Sequence, residues 1–316
     1  MSRHLVDPQL VAALDMFAPL DMDLSRIRET RAMFESMYPP VEAYARPSVS
    51  IERVVVSGQD GAPDVPVTLY RPVQAEEPPP VVLHIHGGGY LFGSAAGSGP
   101  ANVRTASELQ CVVASVDYRL APETRAPGAV EDCYTVLSWL SRNADALGVD
   151  RSRIAVGGES AGGGLAASLA LLARDRGEHP ICFQMLIYPM LDDRTCARAD
   201  LNAHVGHFVW KPEYNLFGWS CYLGVKPGSA DVSPYASAAR ATDLSGLPPA
   251  YICVGSLDLF LEEDMAYAAR LMAAGVPVEL QVYPGAYHAF EMVFESDVAV
   301  RAEADRRRAL AAAFAR

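Results

Sequence analysis

Short apolar runs alternate with amphipathic stretches through most of this chain. The runs that predict strands are residues 81–85, 112–116, 154–156, 184–188, 251–254 and 278–282, and the first of these is suited to a buried strand. Helical periodicity marks 129–143, 161–176, 262–274 and the C-terminal tail. Strands that alternate with helices of about 10 to 15 residues indicate βαβ units. The pattern therefore predicts a mostly parallel sheet with helices on both faces.

Three segments depart from this rhythm. Residues 51–56 and 65–70 are β-like and flank Gln59-Asp60-Gly61, a hairpin signal, so they predict an antiparallel edge and about eight strands in all. Residues 1–48 hold helical pieces at 6–16 and 24–38. Residues 190–247 are rich in aromatic side chains and contain no clear strand. Because unstructured loops of that length are uncommon in compact domains, this last segment predicts an inserted helical cap.

Composition limits the partners that we expect and indicates the cellular compartment. The chain has 316 residues, of which 50% are hydrophobic, and a formal net charge of −12. That charge argues against nucleic acid or an anionic membrane as a partner. No apolar run approaches the length of a membrane span, and the N-terminus does not resemble a secretory signal. The six cysteines are scattered without metal-ligand spacing, so we expect reduced thiols, no metal, no cofactor and a cytoplasmic protein.

The most specific chemical signal is Gly-x-Ser-x-Gly at Gly158, Ser160 and Gly162, between a predicted strand and a predicted helix. A serine on so tight a turn projects its hydroxyl from the top of the sheet, and the helix N-terminus behind it favours developing negative charge. A glycine-rich turn of this kind could instead bind a phosphate, although no lysine follows as a Walker-type loop requires. The pattern favours a nucleophilic serine.

Three glycines follow His86 at the end of the 81–85 run. Their backbone can approach a ligand closely, so the amides of Gly88 and Gly89, with that of Ala161, are candidate donors of an oxyanion hole. A merely flexible loop is the alternative reading. We expect His86 itself to be structural and to hydrogen-bond the loop backbone.

A general base and its carboxylate partner are expected on loops that follow late strands. With His86 expected to be structural, only His288 among the other six histidines stands on a loop after a strand, 278–282, on the sheet edge that carries Ser160. Asp258 follows the run 251–254 and would accept the imidazole Nδ1 proton. The rival acids are Glu262, Glu263 and Asp264. They lie in the first turns of the next predicted helix, where negative charge suits the helix dipole.

With these residues in place, the chain resembles the hormone-sensitive lipase-like family of α/β-hydrolases, which includes bacterial carboxylesterases. The matching elements are the His-Gly-Gly-Gly of 86–89, the Asp-Tyr-Arg-Leu-Ala-Pro-Glu of 117–123, the Gly-Glu-Ser-Ala-Gly-Gly of 158–163, Asp258 and His288. The resemblance implies an eight-stranded α/β-hydrolase domain over 49–316, capped by an arm, 1–48, and by the insertion at about 190–247. Glu159 stands where many relatives carry aspartate.

The resulting hypothesis is a serine carboxylesterase that hydrolyses short-to-medium acyl esters through an acyl-enzyme, with a small-molecule ester as its partner. Alternatives are hydrolysis of amide, carbamate or lactone bonds on the same triad, or a non-catalytic ligand-binding member of the fold. A homodimer is left open. The candidate pocket walls are the aromatic residues Phe92, Phe208, Trp210 and Phe217, which could equally be plain core.

Overall fold

An eight-stranded sheet organises the computed structural model, which describes residues 2–17, 19–58, 61–74, 77–198 and 200–315. Its strands are β1 Val49–Val56, β2 Val65–Pro72, β3 Val81–Ile85, β4 Val112–Val116, β5 Ile154–Glu159, β6 Phe183–Ile187, β7 Ala250–Gly255 and β8 Val278–Tyr283. Their spatial order is β1-β2-β4-β3-β5-β6-β7-β8. Strand β2 runs antiparallel to β1 and β4, and all other pairs are parallel. The predicted α/β-hydrolase fold, with a mostly parallel sheet of eight strands, is confirmed.

The antiparallel edge forms where the sequence indicated it, with Val56 opposite Val65. Of the predicted turn, Gln59 and Asp60 lie outside the described residues.

Helices cover both faces of the sheet. The α-helices of the described residues are α1 Ile27–Ser36, α2 Gly99–Leu109, α3 Gly128–Arg142, α4 Ala144–Leu147, α5 Ala161–Arg176, α6 Pro212–Leu223, α7 Leu261–Ala273 and α8 Asp297–Phe314; of these, α1 belongs to the N-terminal arm and α6 to the insertion. Alternate residues of β3 belong to different cores: Val81, Leu83 and Ile85 pack with α3, α5 and α7, whereas Val82 packs with α2 and α8. Strands buried on both faces explain why the central runs are continuously apolar.

The N-terminal arm differs from the helical pieces that its periodicity predicts. Residues 6–16 contain only a 3₁₀ helix, Ala12–Met16, and residues 24–38 contain a 3₁₀ turn followed by α1. The described part of the insertion holds one α-helix, α6, and a 3₁₀ turn at Ala238–Arg240. The two segments touch, because the Leu20 amide donates to the Tyr214 hydroxyl at 3.3 Å. Their limits as a cap remain a prediction.

In the part of the chain that the structure describes, no helix is long and apolar enough to cross a membrane.

Candidate active site

Ser160 occupies the sharp turn between β5 and α5. Its backbone has φ 56° and ψ −119°, a conformation that costs energy for a side-chain-bearing residue. Two positions before and two positions after the serine only glycine fits, because a Cβ at Gly158 or Gly162 would lie 2.2 Å or 2.0 Å from the Ile85 carbonyl oxygen. Strand β3 therefore crosses directly against the turn, and the hydroxyl projects at the carboxyl edge of the sheet.

Three residues far apart along the chain meet in one line of hydrogen bonds. His288 Nε2 lies 2.9 Å from Ser160 Oγ, and His288 Nδ1 lies 2.8 Å from Asp258 Oδ2. The other carboxylate oxygen, Asp258 Oδ1, accepts the Phe260 amide at 3.0 Å. All three side chains are buried. The carboxylate can only accept, so Nδ1 carries the proton and Nε2 is free to accept the serine hydroxyl.

Aromatic rings hold the His288 imidazole in place. Tyr188 meets it edge-on with ring centroids 4.7 Å apart, and Phe260 does the same at 5.2 Å. Trp210 lies 6.4 Å away, centroid to centroid. These contacts restrict rotation of the ring and surround it with apolar surface.

The Gly88 and Gly89 amides point away from their own turn. The Gly87 carbonyl accepts His86 Nδ1 at 2.8 Å, and the Gly88 carbonyl accepts the amides of Leu91 and Phe92 at 3.0 and 2.9 Å. In a trans peptide the N–H lies opposite the carbonyl. The amides of Gly88 and Gly89 therefore face the side opposite these bonds. Glycine suits both positions, because Gly88 has φ 121° and a Cβ at Gly89, with φ 60°, would lie 2.2 Å from the Trp210 ring.

The Ala161 amide is oriented in the same way. The Ser160 carbonyl accepts the amides of Gly164 and Met190 at 3.0 and 2.9 Å. The Ala161 N–H consequently points out of the N-terminus of α5, where the helix dipole is positive.

His86 supports the loop, as its position in the sequence suggests. Its ring stacks on Tyr118 with centroids 4.3 Å apart, and the Tyr118 hydroxyl donates to the His86 carbonyl at 3.0 Å. Burial lowers the pKa of His86, so the imidazole is neutral and donates through Nδ1 to Gly87.

The four aromatic residues predicted as pocket walls lie in different surroundings. Trp210 covers the glycine loop: a Cβ at Gly89 would fall 2.2 Å from its six-membered ring. Phe208 packs against Tyr287, the neighbour of His288, with centroids 6.0 Å apart. Phe92 packs on Phe34 of α1 at 5.3 Å. Phe217 is half-buried against the main core.

A buried polar cluster next to the serine escaped the sequence analysis. His84 Nε2 lies 3.0 Å from Glu159 Oε2, and His84 Nδ1 lies 3.0 Å from Ser115 Oγ. Burial acts to raise the pKa of Glu159, but His84 and Arg306 outweigh it and hold the pKa below its ordinary value. Glu159 was visible as an unusual residue in the motif, whereas no local signal marks Arg306.

A second buried carboxylate organises the loop after β6. Glu263 Oε1 accepts the Leu191 amide at 2.7 Å and the Asp192 amide at 3.2 Å. Burial raises the pKa of Glu263 well above its ordinary value. This acid, expected from the sequence only to serve the dipole of α7, instead anchors backbone beside Met190, which bonds to the Ser160 carbonyl.

Within the described ranges, no group of three or more His, Cys, Asp or Glu side chains is arranged to hold a metal ion.

A family model for the alpha/beta hydrolase fold matches residues 82–292. The chain belongs to this α/β-hydrolase family. The family membership that the motifs predict is thereby confirmed.

Several named relatives of this α/β-hydrolase are esterases. It is 36% identical to Carboxylesterase NlhH of Mycobacterium tuberculosis over 292 residues, and the aligned region covers 92% of this chain and 90% of that protein. The solved structure titled Bacterial Heroin Esterase has a TM-score of 0.92 and 40% identity, with 99% of each chain covered. Esterase LipW from Mycobacterium marinum has a TM-score of 0.86 and 35% identity, covering 99% of this chain and 97% of that one.

Proposed function

We propose that this protein is a serine carboxylesterase that hydrolyses short-to-medium acyl esters through an acyl-enzyme intermediate. The observation that carries the proposal is the line of hydrogen bonds from Asp258 through His288 to Ser160. Carboxylesterases and esterases among the relatives support the same reaction class and do not favour the amide, carbamate or lactone alternatives.

The first step is attack by the serine. As Ser160 Oγ bonds to the ester carbonyl carbon, its proton passes to His288 Nε2, 2.9 Å away. Asp258 keeps the imidazole in the tautomer with Nδ1 protonated and stabilises the imidazolium that forms.

Negative charge then develops on the carbonyl oxygen. The amides of Gly88, Gly89 and Ala161 are the proposed donors to it, supported by the N-terminus of α5. A donor of this kind contributes about 3 to 4 kcal/mol to stabilising the transition state.

The remaining steps return the site to its starting state. The C–O bond to the alcohol breaks, and the leaving alkoxide takes the proton from His288. A water then attacks the acyl-enzyme, giving one proton to His288, and the acid departs as that proton returns to Ser160 Oγ. All these steps use groups of this chain and water.

Substrate length is the finer part of the proposal. Trp210 stands over the Gly89 backbone and near His288, where it would restrict the space beside the reacting carbonyl. Phe92, Phe208 and Phe217 are proposed as further walls. No amphipathic segment suited to anchoring lipid is evident in the sequence, which also favours short acyl chains.

We further infer a cytoplasmic protein, because the six cysteines are free thiols rather than disulfides. A homodimer remains an open alternative, which light scattering on the purified chain would decide.

A panel of p-nitrophenyl esters of increasing acyl length, run beside p-nitroanilides of the same acids, tests the proposal. We expect hydrolysis of the esters, fastest for the shorter acyl chains, and little turnover of the anilides. Ester hydrolysis no faster than in buffer would refute the esterase assignment and favour a non-catalytic protein. Faster cleavage of the anilides would favour an amidase.

A further inference from the structure

Arg306 lies in the middle of α8, and its side chain is buried although it carries a charge; the residue is only 8% exposed. Removing a guanidinium from water is unfavourable unless opposite charge compensates it. Here burial alone would lower the pKa of Arg306, but its neighbours Cys253, Glu291, Glu303 and Glu159 raise it. The carboxyl groups supply the opposite charge, because burial raises the pKa of the Cys253 thiol and keeps it neutral. The guanidinium therefore remains charged inside the protein.

Three of these neighbours belong to the three segments that carry the triad. Glu159 directly precedes Ser160 at the end of β5. Glu291 follows His288 in the 3₁₀ turn Phe290–Met292, and its Oε1 lies 3.9 Å from Arg306 Nη2. Cys253 lies in β7, the strand that leads into Asp258. The guanidinium thus lies beside the histidine loop and interacts electrostatically with the residue before Ser160 and with the strand that leads into Asp258.

Arg306 interacts with Glu159 and Glu291 mainly through charge and not through a network of hydrogen bonds. Among the described residues, Nε and Nη2 of Arg306 and Oε2 of Glu291 have no hydrogen-bond partner. Arg306 helps to keep the Glu159 pKa low, so that this carboxylate is negative. Burial raises the pKa of Glu291 to about 7, and Arg306 opposes that shift. Both acidic side chains are therefore drawn towards the same positive charge.

We propose that Arg306 is a positioning residue for the catalytic triad, drawing the Ser160 turn and the His288 loop towards one buried positive charge. The proposal rests on the proposed function. Ser160 and His288 are 128 positions apart, and their side chains must stay at 2.9 Å for the proton to move. Displacement by about 1 Å at such a site can lower a rate about a hundredfold.

Four variants test this role at about pH 8, where Glu291 is mostly ionised. Arg306→Met removes the charge, Arg306→Lys keeps it, and Arg306→Met with Glu291→Gln removes both charges of the pair. Arg308→Met is the matched control, because Arg308 is an exposed arginine of the same helix, paired with Glu279. Each variant is assayed with p-nitrophenyl acetate after its active sites have been counted by stoichiometric reaction with an organophosphate.

We expect Arg306→Met to lower kcat per counted site by about tenfold to a hundredfold with KM within about threefold of wild type. Arg306→Lys should recover most of that loss, and Arg308→Met should match wild type. In the double variant the thermal midpoint should return towards that of wild type, since a neutral pair of similar size replaces a buried ion pair. Its kcat should nevertheless stay low.

A double variant that regains both stability and kcat would overturn the proposal, because Arg306 would then only balance a buried charge. Equal kcat values for Arg306→Lys and Arg306→Met would overturn it too. A failure of the proposed function looks different: wild type and Arg308→Met would themselves leave the ester unhydrolysed.

Discussion

A methyl group added at Gly218 would test how far α6 holds the proposed oxyanion loop in place. A Cβ there would lie 2.8 Å from the Gly89 carbonyl oxygen, about 0.6 Å inside the 3.4 Å at which ordinary contact begins. The obstacle is backbone, which cannot rotate away as a flexible side chain can. In Gly218→Ala the Gly89–Tyr90 peptide must therefore move relative to α6 by a comparable distance, and the Gly89 N–H one bond before its Cα is displaced with it.

The cost to catalysis follows from the narrow range of useful donor distances. Oxyanion donors act at roughly 2.7 to 3.1 Å, so a shift of about 0.6 Å removes much of one donor's contribution. Complete loss of a donor lowers kcat by about a hundredfold to a thousandfold. Because the donor is displaced and not deleted, we expect kcat to fall by about tenfold to a hundredfold, with KM within about threefold of wild type.

Stability separates this effect from damage to the fold. Alanine is favoured over glycine inside a helix by about 1 kcal/mol, which offsets part of the crowding at Gly89. The thermal midpoint should therefore change little while kcat falls. Ser220→Ala, on the same helix with its hydroxyl bonded to the Leu216 carbonyl, is the control and should keep both values. Wild-type kcat in Gly218→Ala would refute the reasoning that α6 sets the loop.

Three further predictions concern the nucleophile, the pocket and a buried acid. Ser160→Ala should lower kcat by several orders of magnitude; activity within about tenfold of wild type would rule out Ser160 as the nucleophile. Trp210→Ala should raise kcat/KM for octanoyl relative to acetyl p-nitrophenyl esters by at least about tenfold, and an unchanged ratio would remove Trp210 as a wall. Burial raises the folded-state pKa of Glu291 from 4.5 to about 7, so the stability gained from its neutral form is complete below about pH 4.5 and is lost as pH rises through about 7. In urea unfolding, the free energy of unfolding of Glu291→Gln should therefore rise relative to that of wild type between about pH 5 and about pH 8. A difference between the two proteins that does not change with pH would contradict the raised pKa.

Local sequence was sufficient to predict the residues now found in one line of hydrogen bonds. Gly158 and Gly162 flank Ser160 in a tight strand-to-helix turn. Glycine is required at both positions because the β3 backbone lies about 2 Å from where their Cβ atoms would be. Asp258 follows a continuously apolar run, which forms the buried strand β7, and His288 follows the alternating run of the edge strand β8. Parallel strands end at one edge, so the three residues had to be near one another.

Features that depend on packing between distant segments could not be predicted in this way. Arg306 lies in a run of three arginines, and nothing local distinguishes it from exposed Arg308. Its burial is decided by where α8 meets the segments around Glu159 and Glu291. Likewise α2 was missed, because its buried face is made of Gly99, Asn102, Val103 and Ala106, which give a weak apolar pattern.

Covalent labelling measures the central claim most directly. An organophosphate that carries a p-nitrophenyl leaving group should phosphorylate one residue of the folded protein, releasing one equivalent of p-nitrophenol as ester hydrolysis stops. Peptide mass spectrometry should place the label on Ser160, and the rate of labelling should fall sharply in His288→Ala. A label on another residue, or full ester hydrolysis by protein labelled at Ser160, would contradict the account.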